Sequence, residues 1–261
     1  MKIAFFSDVH ANLPALEAVL KSIDAHRPDQ IYCLGDLVGY APWPNEVVER
    51  IRRRHIPTLA GNYDEGVGDR SDDCGCAYQT EIQQSRGEQS IGYTNEVIDE
   101  DHRRWLRTLP RHIRLSLGRD AEFSLLMVHG SPRRINEYLF EDRPERSFRR
   151  MMSRFEADVM LFGHTHRPFH KIVGKEGEDG RMRYRHAINI GSVGKPKDGD
   201  PRAGWVLLEL SEELDAGEMD SVDVKFVRVT YDVEEAATGV EESPLPDAFA
   251  EMLRTGGKHE Q

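Results

Sequence analysis

The sequence predicts an α/β fold, because short apolar runs alternate with amphipathic helical segments through its first third. Runs at residues 2–7, 30–34 and 57–60 have the length and composition of buried strands. This strand–helix–strand rhythm indicates parallel strands joined by right-handed crossovers. Polar motifs follow directly after these runs, at the strand ends where open α/β sheets bind ligands.

Two helices are predicted between the first three strands. Asn12 is suited to N-cap the first helix, and Pro28 ends it. The apolar face of this helix has i, i+3, i+4, i+7 spacing and consists of Leu16, Val19, Leu20 and Ile23. Pro44 begins the second helix, whose apolar residues are Val47, Val48 and Ile51.

The rest of the chain predicts a second group of strands. Residues 113–117 and 123–128 alternate enough to pair, a helix is expected at 146–155, and a strand follows at 159–162. Beyond residue 163 the pattern becomes antiparallel. The expected strands there are 169–173, 184–190, 205–210 and 222–229.

We expect one domain over residues 1–238, with a polar, helical insertion at about 65–110. A chain of 261 residues suits a single large α/β domain, and the sequence shows no internal repeat and no second core. Residues 239–261 are acidic and then contain proline and glycine, which predicts a loosely packed C-terminal tail.

Composition limits the classes of partner. The net charge of -11 disfavours a nucleic-acid partner, which usually requires a basic surface. It leaves room for a small phosphorylated or nucleotide-like substrate, because bound cations invert the local field. No apolar run reaches the roughly 18 residues of a membrane span, so we expect no membrane partner. Three cysteines and the absence of a signal-peptide core predict a cytoplasmic protein.

Five short motifs each end or follow an apolar run. They are Asp8-Val9-His10, Gly35-Asp36, Gly61-Asn62-Tyr63-Asp64, His129-Gly130 and Gly163-His164-Thr165-His166. Strand-end placement would bring their side chains to a common rim. Two carboxylates, four imidazoles and one amide are a suitable ligand set for two divalent cations.

The spacing also suggests how the ligands divide. Asp8 and His10, at i and i+2 on an extended segment, would grip one cation, and His166 would reach back to it. Asp36 has two carboxylate oxygens and could bridge both cations. The second cation would be held by Asn62, His129 and His164. Mixed N/O ligands without thiolate favour Mn, Fe, Zn, Co or Ni over Mg or Ca, and we expect Mn or Fe.

Each motif alone has an ordinary structural explanation. His10 could be a surface or capping residue, Asp36 could shape a turn, and Asn62 could cap a helix. A Gly-His-Thr-His run could belong to a hairpin. The occurrence of all five at strand ends of one chain favours the metal site.

The ordered set D-x-H, G-D, G-N-x-D, H-G and G-H-T-H resembles the calcineurin-like metallophosphoesterase superfamily over about residues 1–210. The run Asn189-Ile190-Gly191-Ser192-Val193 looks like that family's Asn-x-Gly-Ser-Val signature. The resemblance implies an αββα sandwich of two mixed β-sheets flanked by helices. It also implies the ligand division given above, with a metal-bridging hydroxide attacking phosphorus in line.

Two departures from the family pattern narrow this expectation. Gly35-Asp36 continues into Leu37-Val38-Gly39-Tyr40, without the Asp-Arg pair of the protein phosphatases. Tyr63 stands where many members have a proton-donating histidine, and tyrosine is a poorer acid at neutral pH. The missing Asp-Arg pair argues against protein-phosphatase activity. In lacking the histidine, the chain resembles the small bacterial and archaeal phosphodiesterases of the superfamily.

The roles of the residues after Gly61 stay open. Asn62, Tyr63 and Asp64 are candidate catalytic residues. Tyr63 is a proton donor, a specificity determinant or a packing residue, and Asp64 is more suited to orienting or capping than to independent catalysis. General acid catalysis contributes roughly 10²–10⁴-fold, so its loss would matter most for substrates with poor leaving groups.

Arg133 and Arg134 are candidate substrate contacts, because they follow the His129 motif and an arginine fork suits a phosphate oxygen. A solvated surface pair is the alternative. Cys74 and Cys76 form a lone C-x-C, which without a second pair is better explained by structural or incidental thiols.

The sequence therefore predicts a dimetal phosphoesterase, with phosphodiesters as the expected substrates. One alternative is a catalytically silent binding scaffold of the same fold. A nuclease or a phosphomonoesterase of the superfamily is the other. The oligomeric state is not predicted.

Overall fold

The strands form two mixed sheets in a computed structural model that describes residues 1–118, 122–176, 180 and 182–258. The strands are β1 Lys2–Phe6, β2 Gln30–Cys33, β3 His112–Leu117, β4 Phe123–Val128, β5 Val159–Phe162, β6 Phe169–Glu176, β7 Met182–Asn189, β8 Ala203–Leu210 and β9 Val222–Val229. The helices are α1 Leu13–His26, α2 Pro44–Arg53, α3 Asn62–Gly68, α4 Glu81–Val97, α5 Glu100–Leu106, α6 Glu145–Arg154, α7 Val233–Glu241 and α8 Ala248–Thr255.

Each sheet contains parallel strands whose carboxyl ends meet at the same edge: one parallel pair in the first sheet and two in the second. One sheet has the order β2-β1-β8-β9, with β1 and β2 parallel and the other pairs antiparallel. The other has the order β3-β4-β5-β7-β6, with β4, β5 and β7 parallel. The antiparallel pattern expected after residue 163 is confirmed for β6 with β7 and for β8 with β9.

Side-chain alternation along the strands explains the layers. Ile3 and Phe5 point from β1 into an apolar layer shared with Leu125 and Met127 of β4, so this layer lies between the two sheets. The intervening residues of β1 pack on the opposite face in a second layer with α1, α2, α7 and α8. A third layer joins β4 and β5 to α6. A strand period of two requires this separation, because successive side chains leave opposite faces.

The helix start at Asn12 follows the prediction. The Asn12 side chain accepts a hydrogen bond from the Ala15 amide, at 3.1 Å between the two atoms, and Pro14 occupies the first turn. The strand expected at residues 57–60 is reduced to one isolated bridge between Cys33 and Thr58. Pro57 cannot donate to a strand ladder, which limits that pairing.

The expectation of a loosely packed tail from residue 239 is wrong for the part that the structure describes. Helix α7 runs across that boundary to Glu241. Phe249 and Leu253 of α8 are buried in the helical layer on the outer face of β1. The acidic composition belongs to the solvent face of two amphipathic helices, whose apolar faces pack into that layer.

No helix in the described part of the chain is both long enough and apolar enough to cross a membrane.

Candidate metal centre

Loops at the carboxyl ends of four strands bring the predicted ligands together. Asp8 and His10 follow β1, and Asp36 follows β2. His129 follows β4, and the Gly-His-Thr-His motif follows β5. Because each sheet contributes a parallel pair ending at the same edge, these loops converge over the apolar layer between the sheets.

A left-handed backbone directs most of these side chains. Positive φ angles between 49° and 65° occur at Asp8, His10, Asp36, His164 and His166. Non-glycine residues rarely adopt this region, at a cost on the order of 1 kcal/mol each. The prediction that Asp8 and His10 project from an extended segment is therefore wrong. β1 ends at Phe6, and a tight turn brings the two side chains together.

The first group consists of Asp8, His10 and His166, whose ligand atoms lie within 4.8 Å of one another. His166 Nε2 is 3.1 Å from Asp8 Oδ1, and His10 Nε2 is 3.9 Å from the same oxygen. All three residues are buried. The arrangement could hold one divalent cation with nitrogen and oxygen ligands.

The second group consists of Asp36, His129 and His164, with the same spacing limit of 4.8 Å. Asn62 Oδ1 lies 3.1 Å from His129 Nε2 and adds an amide oxygen. Asp36 Oδ2 is 3.3 Å from His129 Nε2 and 3.6 Å from His10 Nε2. One oxygen of Asp36 therefore faces both groups, as a bridging ligand would.

The histidine tautomers fit a bound cation. Nδ1 of His10 is 3.1 Å from the Val38 carbonyl oxygen, and Nδ1 of His166 contacts the Lys195 carbonyl oxygen. A carbonyl only accepts, so each Nδ1 carries the proton. The two Nε2 atoms, 3.2 Å apart, then face each other with lone pairs. A cation between them would remove this repulsion, and such carbonyl contacts typically orient metal-bound imidazoles.

Two buried atoms also lack partners. Asp8 Oδ1 and His164 Nε2 make no hydrogen bond within the described residues. Buried polar atoms are rarely left unsatisfied, so these two atoms fit the role of ligands to a cation. Burial lowers the pKa of His10 and of His164 to about 3, so both imidazoles are neutral and able to coordinate at neutral pH.

Comparison with known proteins identifies the family to which this chain belongs. Residues 1–213 match the calcineurin-like phosphoesterase superfamily domain. The chain belongs to this superfamily. It is 34% identical over 266 residues to an uncharacterised protein of Methanocaldococcus jannaschii, with 97% of this chain and 98% of that protein covered.

Solved structures of the phosphoesterase fold extend over almost the whole chain. A metallophosphoesterase from Sphaerobacter thermophilus is 31% identical with a TM-score of 0.71, covering 98% of this chain and 99% of that one. A hypothetical protein from Pyrococcus horikoshii is 22% identical with a TM-score of 0.76 and 98% coverage of both chains, and shows likeness in fold alone. The predicted family and the predicted sandwich of two mixed sheets flanked by helices are both confirmed.

Two glycines of the phosphoesterase motifs make room for the carboxylates. A Cβ on Gly61 would lie 2.0 Å from Asp36 Oδ1, and a Cβ on Gly163 would lie 2.3 Å from Asp8 Oδ2. Both distances are far below a van der Waals contact. Glycine before the asparagine and before the first histidine is therefore required by close packing.

The Asn-x-Gly-Ser-Val run supports the ligand loops from behind. Asn189 Nδ2 donates to the Gly163 carbonyl and to Thr165 Oγ1, both at 2.9 Å. Ser192 Oγ donates to the Asp8 carbonyl at 2.8 Å. These bonds hold two strained ligand loops in place.

Asp64 joins two loops of the centre. Oδ1 accepts from the Leu37 amide and Oδ2 from the Gly61 amide, both at 2.9 Å. The side chain is fully buried, and burial together with the nearby Asp36 raises its pKa to about 7. Both oxygens are used by the backbone, which favours a positioning role.

Tyr63 packs beside the centre with a buried ring. Its ring centroid is 4.8 Å from that of Tyr40 and 5.5 Å from that of His10. Its hydroxyl satisfies no hydrogen-bond geometry with the described residues. Burial raises the Tyr63 pKa well above its ordinary value, which makes the phenol a still weaker acid. These features favour the packing role over proton donation.

The structure does not support Arg133 and Arg134 as substrate contacts. The Arg133 guanidinium pairs with Glu137, and Nε to Oε2 is 3.0 Å. Arg134 is exposed, and neither arginine lines the cavity over the centre. Glu137 holds Arg133 away from the ligands, so the alternative of a surface residue describes this pair better.

Other cations line that cavity instead. The cavity has a volume of about 750 Å³ and opens over His10, Asp36, His164 and His166. Its walls carry four cationic side chains, which are Arg86, Arg167, Lys197 and Lys258. Its aromatic residues are Tyr40, Tyr63, Tyr78, Tyr138, Phe140 and Phe249. Arg167 directly follows the Gly-His-Thr-His motif, and Lys197 lies on the polar loop at 191–204. Arg86 and Lys258 reach the cavity through tertiary packing.

Proposed function

We propose that this chain is a divalent-metal-dependent phosphodiesterase acting on a small, anionic substrate with an aromatic or apolar substituent. The observation that carries the proposal is the pair of Asp/His groups sharing Asp36 at the floor of the cavity. Superfamily membership supplies the reaction class, a metal-dependent phosphoester hydrolysis.

Seven side chains would hold the two cations. Asp8, His10 and His166 would bind one; Asn62, His129 and His164 would bind the other; and Asp36 would bind both. When bound, two such cations lower the pKa of a water and stabilise charge on the phosphoryl oxygens. The proposed reaction displaces one ester oxygen by a water oxygen from the opposite side of phosphorus.

The cavity walls support an anionic substrate. The chain has a net charge of -11, yet four cationic side chains line this opening beside two carboxylates, Asp36 on the floor and Asp198 on the wall. A local excess of positive charge attracts anions despite an acidic surface elsewhere. Arg167 lies over the Phe140 ring, 6.0 Å from its centroid, which joins a cationic and an apolar contact in one wall. This combination suits a phosphate that carries an aromatic or apolar ester group.

Tyr63 supports the choice of phosphodiesters with good leaving groups. The position has no imidazole, and its phenol is buried with a raised pKa. The leaving oxygen would thus receive little protonation from this residue.

The few cysteines also support a cytoplasmic setting for the enzyme.

Metal reconstitution tests the proposal. Protein stripped with EDTA should regain hydrolysis of bis-p-nitrophenyl phosphate on addition of Mn²⁺, Fe²⁺, Co²⁺, Ni²⁺ or Zn²⁺, and should hydrolyse p-nitrophenyl phosphate more slowly. His129→Ala should lose at least about 100-fold in rate, because even outer-shell changes cost roughly 10–100-fold. His112→Ala, at an exposed histidine, is the matched control.

The outcomes separate the alternatives. Tight binding of two cations without turnover of either substrate would indicate a silent scaffold. Faster hydrolysis of the monoester would reassign the enzyme as a phosphomonoesterase. Cleavage of single-stranded DNA in Mn²⁺ would indicate a nuclease.

A further inference from the structure

A pair of thiols contacts a proposed metal ligand. Cys74 Sγ and Cys76 Sγ are 3.2 Å apart, and both cysteines are free. The amide nitrogen of Asn62 donates to the Cys74 carbonyl at 3.1 Å and to Cys76 Sγ at 3.3 Å. The oxygen of the same amide faces His129. The C-x-C motif therefore sits behind the second cation group.

We propose that Cys74 and Cys76 are a modification site, at which a small-molecule disulfide converts the dithiol to a reversible intraloop disulfide that weakens cation binding at Asn62. This inference rests on the metal centre proposed above. It assigns a redox role to a motif that the phosphoesterase chemistry does not use.

The backbone already brings the two sulfurs close. Gly75, between them, has φ of +69°, a conformation that glycine adopts without a Cβ penalty. Asn136 Nδ2 donates to the Gly75 carbonyl at 2.8 Å and holds this turn. A disulfide has a bond of about 2.05 Å, so closing the pair requires an approach of roughly 1 Å.

The chemistry is thiol–disulfide exchange with an oxidant such as glutathione disulfide. Cys76 as thiolate attacks one sulfur of the oxidant, forms a mixed disulfide and expels one glutathione thiolate. Cys74 then attacks the Cys76 sulfur and expels the second. Two protein thiols lose two protons and two electrons, and one glutathione disulfide becomes two glutathione molecules.

Exposure determines which cysteine reacts first. Cys76 is partly exposed and lines the cavity over the centre, so the oxidant can reach it. Cys74 is only 7% exposed and Cys33 is fully buried. Access therefore selects Cys76 as the attacking thiol and Cys74 as the resolving thiol, even though the hydrogen bond with Cys74 raises the pKa of Cys76.

Disulfide formation changes the support of Asn62. Drawing Cys76 Sγ toward Cys74 lengthens its contact with the Asn62 amide, which then loses one of its two acceptors. An outer-shell change of this kind costs about 10-fold or more in metal affinity. By thermodynamic linkage, a bound cation should therefore stabilise the dithiol relative to the disulfide by the same factor of about 10. For a two-electron couple this raises the reduction potential by about 30 mV.

Redox titration of the full-length protein tests the inference. EDTA-stripped and Mn²⁺-loaded samples are equilibrated at rising ratios of glutathione disulfide to glutathione, acid-quenched, alkylated after denaturation and digested with trypsin. Residues 71–86 form one tryptic peptide that contains both cysteines. This peptide should lose both alkylation sites without retaining glutathione, while Cys33 stays alkylated. The midpoint should be about 30 mV more positive with Mn²⁺, and the oxidised protein should bind Mn²⁺ about 10-fold more weakly until it is reduced.

Single variants check the order of steps. Cys74→Ser should trap glutathione on Cys76, and Cys76→Ser should leave Cys74 unmodified. Equal trapping in both variants would contradict the assigned order. Equal midpoints with and without Mn²⁺, or a peptide that keeps both thiols, would overturn the inference. Peptide mass and Mn²⁺ affinity are measured without any phosphoester substrate. A reduced protein that shows no phosphoester turnover would therefore contradict the proposed function and leave the redox inference to be judged by its own measurements.

Discussion

At the residue scale, five of the seven candidate ligands adopt a left-handed backbone conformation that non-glycine residues rarely adopt. Asp, His and Asn at five motifs identify a site for nitrogen- and oxygen-binding cations. Asp8 and His164 have left-handed φ angles in loops that are held by hydrogen bonds from distant residues. Ser192 donates to the Asp8 carbonyl, and Asn189 donates to the Gly163 carbonyl. The i, i+2 spacing of two residues carries no information about such long-range hydrogen bonds.

The same scale bears on the role of Tyr63. Tyr63→Phe removes a hydroxyl that lies close to the Tyr40 and Tyr78 hydroxyls but meets strict hydrogen-bond geometry with none of the described residues, so we expect the rate on phosphodiesters to change by less than about 3-fold. A panel of diesters with good and poor leaving groups measures this. A proton donor at this position would instead show a loss of about 10²–10⁴-fold, concentrated on poor leaving groups. Tyr78→Phe, in the same cavity wall, is the control.

At the element scale, periodicity located most strands within one or two residues, but pairing partners required the structure. The apolar runs at β1, β2, β4 and β5 were recognisable because buried strands are short and apolar. That β8 inserts beside β1, and that β7 lies parallel to β5, depends on packing between distant segments. The side-chain contacts made by the β6–β7 pair also arise only after this pairing.

One such contact makes stability depend on pH. His186 Nδ1 and His170 Nε2 are 3.0 Å apart on adjacent strands, and burial lowers the His186 pKa from 6.5 to about 4. Between these values the unfolded chain takes up a proton that the folded chain does not. Folding stability should therefore fall as pH drops from about 6.5 to about 4, with His186 contributing on the order of 3 kcal/mol.

Urea unfolding of His186→Asn tests this dependence. The variant should lose less stability than the wild type over that pH range, because asparagine does not titrate there. His55→Asn, at an exposed histidine, should retain the wild-type pH slope. An identical slope in His186→Asn and wild type would show that this histidine does not titrate as described.

At the scale of the whole molecule, the helical layer on β1 connects the C-terminal helices to the cavity over the metal groups. The family domain match ends at residue 213, but α7 and α8 complete the helical layer on β1. The Phe249 ring is 5.0 Å from the Tyr40 ring, and Phe249 lines the cavity over the metal groups. The segment expected to be a loose tail thus forms part of the core and of the cavity wall.

The free energy of unfolding should reflect this packing. Leu253→Ala removes a side chain that is 4% exposed in the helical layer, and should cost about 2–5 kcal/mol in chemical denaturation. Glu251→Ala, on the exposed face of the same helix, should change stability by less than about 1 kcal/mol. Equal effects of the two substitutions would contradict the packing of α8 against the core.

The α/β class, the family and the residue types of the candidate metal centre could be predicted from the sequence, because strand-end motifs and apolar periodicity are local properties. The packing of the folded chain determined the left-handed ligand turns, the shared oxygen of Asp36 and the pairing of Arg133 with Glu137. It also decided the cationic wall, the packing of α8 and the contact of Cys76 with Asn62. These features join residues that are far apart along the chain, and their positions depend on the packing of the two sheets and their helices.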